Sequence, residues 1–227
     1  NHEIDAGNSP VQAFLNRIEF PLMAGNMDLS QEDINKAGKL RDHPQLLDYE
    51  VDQGIAKVLL KPFYDTQIAI VGITLDQMPL IARPDPDTLF VNAIDTTRRT
   101  IKALHQQNIR HIVILSHLGI DQDRELAKQV SGISLIIGGH SHTLQGDFSR
   151  VGMSNMPYGE TVNQIPIFHA GKYAETIGLV DLCFDADGRV CQFKGDNFFM
   201  LGDEINISQN SEQPIPEDVQ RELITDL

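Results

Sequence analysis

The amino-acid sequence predicts an α/β fold with a mixed β-sheet. In its middle third, apolar runs typical of buried strands alternate with stretches of helical spacing. This alternation predicts parallel strands joined by right-handed helical crossovers. After residue 165 the apolar runs are joined by short turns, which predicts an antiparallel continuation. With 227 residues and a hydrophobic content of 41%, the chain can bury the core of one domain of ordinary size.

The first helix is predicted to start at Ser9 and Pro10. Ser9 is a favourable capping residue, and Pro10 suits the first helical position. Apolar residues follow at the spacing of one helical face, at Val11, Phe14, Leu15 and Ile18. A strand over residues 20–24 comes next. Residues 28–50 are polar without a clear period, which predicts an insertion or a long connection with a short helical piece.

The middle of the chain predicts the central sheet. Two β-rich runs cover residues 55–61 and 67–73, and the second is apolar enough for an interior strand. A helix over 95–107 leads into a strand over 111–115. A second helix over 121–130 leads in the same way into a strand over 133–137.

The last third of the chain predicts antiparallel strands. These strands cover residues 165–169, 176–184 and 189–193. Two prolines, Pro214 and Pro216, then precede an amphipathic stretch, which predicts a helix within residues 213–227.

Two cysteines, Cys183 and Cys191, flank a hairpin turn that ends on Gly188. If Asp185 pairs with Arg189, the two cysteines lie directly opposite each other. A disulfide there would suit an exported protein, and two thiols that face the same core are an equal alternative.

The charge balance excludes one class of partner. The chain carries 18 basic and 32 acidic residues, a net charge of −14, which repels nucleic-acid polymers. A single nucleotide held by metal ions remains compatible with this charge. No apolar run reaches the length needed to span a membrane.

Three short strings place imidazole and carboxamide groups in loops that follow buried strands. Open α/β sheets carry their sites at the carboxyl ends of the strands, and imidazole is a common ligand of Zn, Mn, Fe and Co. One Gly-His-x-His string is weak evidence, but three strings together predict a metal site. The strings are Asn1-His2-Glu3-Ile4-Asp5, Ser116-His117 and Gly138-Gly139-His140-Ser141-His142.

In this order, Asn-His-Glu-x-Asp, Ser-His-Leu-Gly and Gly-Gly-His-Ser-His resemble the later motifs of the calcineurin-like metallophosphoesterases, and within them the 5'-nucleotidase family. The resemblance implies a four-layer α/β/β/α sandwich with mixed sheets. It also implies that the family's Asp-x-His and Gly-Asp motifs and N-terminal strands belong upstream of Asn1. Residues 1–212 are then expected to be part of a catalytic domain. Residues 213–227 would start a linker helix to a C-terminal substrate-binding domain.

The resemblance further assigns roles to individual residues. It implies two divalent metal ions, either Zn, Mn, Co or Fe. His2 and Asp5 resemble a catalytic dyad, in which the carboxylate orients an imidazole that assists the leaving group. The second metal would be bound by Asn1, His117 and His140, and the first by His142.

The implied activity is hydrolysis of nucleotide phosphoesters by a 5'-nucleotidase, which converts a nucleoside monophosphate to a nucleoside and phosphate. Alternatives on the same scaffold are a 2',3'-cyclic-nucleotide phosphodiesterase, a nucleotide-sugar hydrolase and a sulfur-oxidation thiohydrolase. A non-catalytic remnant is the competing class. The expected location is periplasmic or extracellular, and the 227 residues alone are expected to be inactive.

Several other polar residues are predicted to have structural roles. His169 is interpreted as a satisfied core histidine, and Asn26 as a turn residue. Asp121 and Asp123 are interpreted as a capped helix start. Surface or edge positions are predicted for His105 and His111, and a weak phosphate role for Lys172.

Overall fold

The computed structural model describes residues 2–153 and 155–200 and confirms the mixed α/β class. The helices are α1 (Asn8–Leu15), α2 (Met78–Ile81), α3 (Ala93–Gln106) and α4 (Ile120–Gln129), with 3-10 turns at His2–Ile4 and Ser149–Val151. The strands are β1 (Leu22–Met23), β2 (Met27–Asp28), β3 (Leu46–Leu47), β4 (Tyr49–Glu50), β5 (Ile55–Ala56), β6 (Leu59–Phe63), β7 (Thr66–Ile73), β8 (Leu89–Phe90), β9 (His111–Ser116), β10 (Leu135–Gly138), β11 (Gly146–Asp147), β12 (Asn155–Met156), β13 (Glu160–Val162), β14 (Ile165–His169), β15 (Thr176–Phe184) and β16 (Val190–Phe199). The predicted helix within 213–227 lies outside the described residues.

A six-stranded sheet forms the centre, in the order β13-β14-β10-β9-β7-β6. Four inner strands, β7, β9, β10 and β14, run parallel, so their carboxyl ends lie at one edge. The outer strands β6 and β13 are antiparallel to their neighbours. Fully buried aliphatic side chains of the inner strands form the core, and they include Ala69, Val71, Ile112, Ile114, Ile136 and Ile167.

Strand β14 corrects the prediction of an antiparallel last third, because it pairs in parallel with β10. Residues 139–164 connect the two strands, and this connection is long enough for a parallel crossover, although none of its described residues (139–153 and 155–164) lies in an α-helix. The predicted antiparallel hairpin of the last two strands is confirmed, because β15 and β16 pair antiparallel through a short turn. Strand β13 also forms a tight antiparallel hairpin with β14. The parallel pairing brings His169 to the same sheet edge as the ends of β9 and β10.

Helix α1 begins two residues earlier than predicted. Gly7, with φ of 92°, occupies the capping position, and no side chain caps the helix. Asn8 is fully buried, and its side-chain amide donates to Glu32 and Thr88. Pro10 therefore lies at the third helical position, where the missing N–H is still tolerated.

The polar segment 28–50, all of which is described, contains short strands and turns but no helix, which corrects the predicted helical piece. Its anchor is Glu32, whose carboxylate accepts from the backbone N–H groups of Leu40 and Arg41. The ammonium group of Lys36 lies 3.0 Å from Glu32 and 3.0 Å from Asp85. These contacts fasten the segment to α1 and to the loop before β8.

The hairpin β15–β16 carries a bulge that changes the predicted cysteine register. Cys183 pairs with Gln192, and the next pair is Phe184 with Val190, so Cys191 is the extra residue. Both cysteines are exposed thiols, and the Cys191 thiol donates to the Cys183 carbonyl oxygen at 3.1 Å. The predicted directly opposed pair is wrong, and so is the alternative in which both thiols face the core.

Two further expectations about the fold are tested by the structure. His111 is buried, because its ring packs against Phe63 and Phe184, so the predicted surface or edge position is wrong. Among the described residues, no helix is long and apolar enough to cross a membrane.

Candidate active site

The carboxyl ends of the parallel strands bring two of the three motif strings together. His117 directly follows β9, and its backbone N–H donates to the Ile73 carbonyl at the end of β7. His140 follows β10 in the neighbouring loop, and its ring centroid lies 5.3 Å from that of His117. The sheet topology therefore produces the proximity that the sequence predicted for these two imidazoles.

Gly139 lies where the two loops approach each other closely. A Cβ atom at this position would lie 3.2 Å from Nδ1 of His117, which is closer than most real Cβ contacts. The absence of a side chain thus lets the backbone of one loop pass close to the imidazole of the other.

The backbone at His140 is held in an unusual conformation. The Ser141 N–H donates to the Gly139 carbonyl at 2.9 Å, which closes a γ-turn around His140 with φ of 71°. His142 also has a positive φ of 54°. Left-handed backbone at a non-glycine residue costs about 1–3 kcal/mol and tends to occur at functional sites.

The first string forms a local pair beside these loops. In the 3-10 turn His2–Ile4, Nδ1 of His2 lies 2.8 Å from a carboxylate oxygen of Asp5. Both side chains are open to solvent, with exposed fractions of 77% and 49%. The His2 ring centroid lies 6.5 Å from that of His117. Asn1, the remaining residue of the predicted site in this string, lies outside the described residues.

The environment of His117 keeps its imidazole neutral. Burial lowers the pKa of His117 to about 4, with help from the neighbouring His140 and His2. Burial likewise lowers the pKa of His140, together with His142 and His2. Nε2 of His117 is buried and has no hydrogen-bond partner among the described residues. A neutral imidazole with a free ring nitrogen is the form that binds a metal ion.

His142, two residues after His140, contacts Tyr173. Its ring is 5.7 Å from Tyr173, which belongs to a segment where Gly171, Tyr173 and Ala174 all have positive φ. The Lys172 ammonium group lies 4.7 Å from the centroid of the Tyr173 ring, so the described contact of this lysine is with an aromatic face.

The described residues supply donors for a metal ion without completing a site. Within residues 2–153 and 155–200, no group of three or more His, Cys, Asp or Glu side chains is arranged to hold a metal. The orphaned Nε2 of His117 and the adjacent His140 nevertheless fit a divalent metal, because both offer neutral nitrogen ligands.

The interpretation of His169 as a core histidine is confirmed by its burial and its hydrogen bond to Asp123, whereas the role predicted for Asp123 is wrong. Asp123 does not cap α4, whose capping residue is Gly119. It is fully buried, and its carboxylate accepts from Ser116 and from Nε2 of His169, the latter at 2.8 Å. The signal in the sequence was the spacing of Ile120, Asp123 and Ala127, which places an acidic residue in the apolar stripe of the helix.

Asn26 lies in a turn as predicted, closed by the Met27 N–H, which donates to the Ala24 carbonyl at 2.8 Å, and its side chain makes further contacts. It is fully buried, its amide donates to the Thr74 and Val91 carbonyls, and its oxygen accepts from the Thr74 N–H. These bonds hold the loop after β1 against the end of β7.

The chain has similar relatives among nucleotide phosphoesterases and nucleotidases. It is 30% identical over 228 residues to the trifunctional nucleotide phosphoesterase protein YfkN of Bacillus subtilis, covering 93% of this chain and 15% of that protein. It is 27% identical over 204 residues to a 5'-nucleotidase of Diplobatis ommata, covering 86% of this chain and 33% of the relative. No protein-family model matches the chain. The chain thus spans a third or less of the length of these two relatives.

The three-dimensional fold is also similar to a solved structure. The 5'-nucleotidase precursor from Thermus thermophilus matches with a TM-score of 0.76 and 27% sequence identity. The match covers 88% of this chain and 37% of that one.

Proposed function

This chain belongs to the 5'-nucleotidase family of the calcineurin-like metallophosphoesterases, and from this premise we propose that it forms part of a metal-dependent hydrolase of nucleotide phosphoesters. The preferred substrate class is a nucleoside 5'-monophosphate, released as nucleoside and phosphate. The observation that carries the proposal is the pair His117 and His140, whose neutral imidazoles meet at the carboxyl edge of the parallel strands beside His2 and Asp5.

The donor set fits two divalent ions of Zn, Mn, Co or Fe. Asn1, His117 and His140 would hold one ion, and His142 would contribute to the other. When bound, such ions polarise phosphoryl oxygens and activate water. Residues 1–212 would then be part of the catalytic domain, with the remaining ligands provided by another part of the protein. This division is supported by the incomplete donor set of the described residues.

His2 would act on the leaving group. Its Nδ1 lies 2.8 Å from a carboxylate oxygen of Asp5, which fixes the orientation of the ring. Nε2 then carries the proton that is donated to the leaving oxygen. The high exposure of the His2 side chain lets a substrate approach this nitrogen.

The substrate is expected to be a small nucleotide, because the net charge of −14 repels a nucleic-acid polymer. A substrate-binding domain elsewhere in the protein would supply contacts to the base. We also place the protein in the periplasm or extracellular space. Cell fractionation tests this location.

The experiment uses the complete natural protein that contains these 227 residues. Phosphate release is measured on a panel of nucleoside 5'-monophosphates, with 2',3'-cyclic nucleotides and nucleotide sugars as discriminating substrates. Metal is removed by chelation and restored as Mn, Co or Zn. We expect turnover of the monophosphates that disappears with the metal and returns on its addition.

The variant His140→Ala should lose at least one bound metal ion together with activity. His43→Ala is the matched control, because His43 belongs to the polar segment 28–50 and lies outside the site. Its ring contacts Asn16. Turnover that survives metal removal, or unchanged metal content in His140→Ala, would overturn the proposal.

A further inference from the structure

A buried polar cluster lies beneath the two histidine loops. We define it as Ser116, Asp123 and His169, which come from the end of β9, the first turn of α4 and the end of β14. The side chains of Asp123 and His169 have exposed fractions of 0% and 1%. No substrate or metal ligand role was assigned to any of the three.

The cluster fixes the loop that carries His117. One carboxylate oxygen of Asp123 accepts from the Ser116 hydroxyl, and the other accepts from Nε2 of His169 at 2.8 Å. The Ser116 oxygen in turn accepts from the backbone N–H of Leu118 at 3.1 Å. Because Ser116 and Leu118 are the two neighbours of His117 in the chain, the cluster holds the backbone on both sides of this imidazole.

The cluster also lies directly against the loop that carries His140. At Gly138, two residues before His140, a Cβ atom would lie 2.1 Å from Oδ2 of Asp123 and 2.1 Å from Nε2 of His169. The end of β10 therefore packs on the Asp123–His169 hydrogen bond, with no room for a side chain between them.

A second hydrogen bond joins the first turn of α4 to the loop that carries His140. The Ile120 N–H at the start of α4 donates to the Ser141 hydroxyl oxygen at 3.1 Å. The first turn of α4 thus contacts both loops, through Asp123 on one side and through Ser141 on the other.

Stability alone does not account for a carboxylate at this position. The neighbouring buried positions of α4 are apolar, and an apolar side chain there would avoid the desolvation of a charged group. Nδ1 of His169 is also buried with no hydrogen-bond partner among the described residues, so the cluster leaves one polar atom unsatisfied. What the polar arrangement does provide is a fixed relation between the ends of β9 and β14 and the first turn of α4, with the end of β10 packed against them.

We propose that Asp123 and His169 are positioning residues, which set the placement of His117 and His140 for metal binding without touching metal or substrate. This inference rests on the proposed function of the two histidines. It names a role for the cluster that packing does not require.

The test uses the complete protein with the conservative variants Asp123→Asn and His169→Gln. Both retain polar groups of similar size but alter the hydrogen bonds of the cluster. The matched control is Thr100→Ala on α3, which removes an equally buried hydroxyl that accepts from the Ala56 N–H, far from the loops. Metal affinity is measured by competition titration with Mn or Zn, and thermal stability is measured alongside it.

We expect the two cluster variants to bind metal about 10–100-fold more weakly. Thr100→Ala should lower thermal stability without changing metal affinity. Equal loss of stability in all three variants, with unchanged metal affinity, would show that the cluster only stabilises the fold and would overturn the inference.

A second readout does not depend on metal or on activity. In the metal-free protein, amide hydrogen exchange at Leu118 and Ser141 should become faster in both cluster variants than in Thr100→Ala. If the wild type neither binds metal nor hydrolyses nucleotides, the proposed function fails, while faster exchange still supports the positioning of the loops. Unchanged exchange in both cluster variants would refute the positioning itself.

Discussion

The molecule contains two Asp–His pairs with the same separation in opposite surroundings. His2 and Asp5 are 2.8 Å apart with their side chains 77% and 49% exposed. His169 and Asp123 are also 2.8 Å apart, but their side chains are 1% and 0% exposed. Solvent can reach and replace the partners of the first pair, whereas any change in the second leaves polar groups without water. The same contact therefore suits proton transfer at the surface and fixed geometry in the core.

The largest expected difference between the pairs is in stability. Asp123→Ala should reduce the free energy of unfolding by about 3–5 kcal/mol, because it leaves buried partners unpaired. Asp5→Ala should change it by less than about 1 kcal/mol, since the exposed pair is solvated in both states. Urea titration of the two variants measures the contrast. A similar loss of unfolding free energy in Asp123→Ala and Asp5→Ala would contradict the difference proposed between the two pairs.

The next largest effect concerns catalysis by the exposed pair. His2→Ala in the complete protein should lower kcat by a factor on the order of 100 or more, because it removes a proton donor from the transition state. The bound metal should be retained, which distinguishes a general acid from a ligand. Steady-state kinetics with metal analysis of the same samples measures both. Loss of metal along with activity would make His2 a ligand and contradict its assigned role.

A smaller effect is expected from placing a methyl group against the buried pair. Gly138→Ala inserts a Cβ atom at the Asp123–His169 hydrogen bond and should reduce the free energy of unfolding by about 1–3 kcal/mol through overpacking. Chemical denaturation of Gly138→Ala and of the wild type measures the difference, and a Gly138→Ala protein as stable as the wild type would show that the cluster tolerates displacement.

A pH dependence of stability is expected from His117, whose Nε2 has no hydrogen-bond partner among the described residues. Its pKa is lowered by burial to about 4 in the folded protein, against about 6.5 in an unfolded chain. The unfolded state therefore binds a proton that the folded state does not, and stability decreases as the pH falls from about 6.5 to 4. His117→Gln should flatten this decrease in the metal-free protein, as measured by thermal unfolding across that range. An identical pH profile in the variant would contradict the burial of a neutral imidazole.

The two pairs also show what the sequence can and cannot predict. His2 and Asp5 are three residues apart in one turn, so a local motif is enough to identify them. His169 and Asp123 are 46 residues apart and meet only because β14 adds to β10 in parallel. The sequence suggested antiparallel pairing there, so the proximity of this pair could not be foreseen.

Element types were predicted more reliably than their partners. Helices α3 and α4 and strands β9 and β10 lie within two residues of their predicted bounds, because their apolar periodicity is strong. The bulge beside Cys183 and the burial of Asn8 were missed, since both depend on tertiary contacts that carry no periodic signal.

The γ-turn at His140 links the direction of a side chain to the handedness of its α-carbon. At a fixed backbone conformation, a D-residue would place its Cβ where the L-residue carries hydrogen, so the imidazole would leave its position near His117. Glycine would remove the backbone cost but also the ring. Neither a D-residue nor glycine at this position both relieves the backbone strain and keeps the imidazole near His117. The strained backbone of His140 is therefore a consequence of placing an L-histidine side chain at this point.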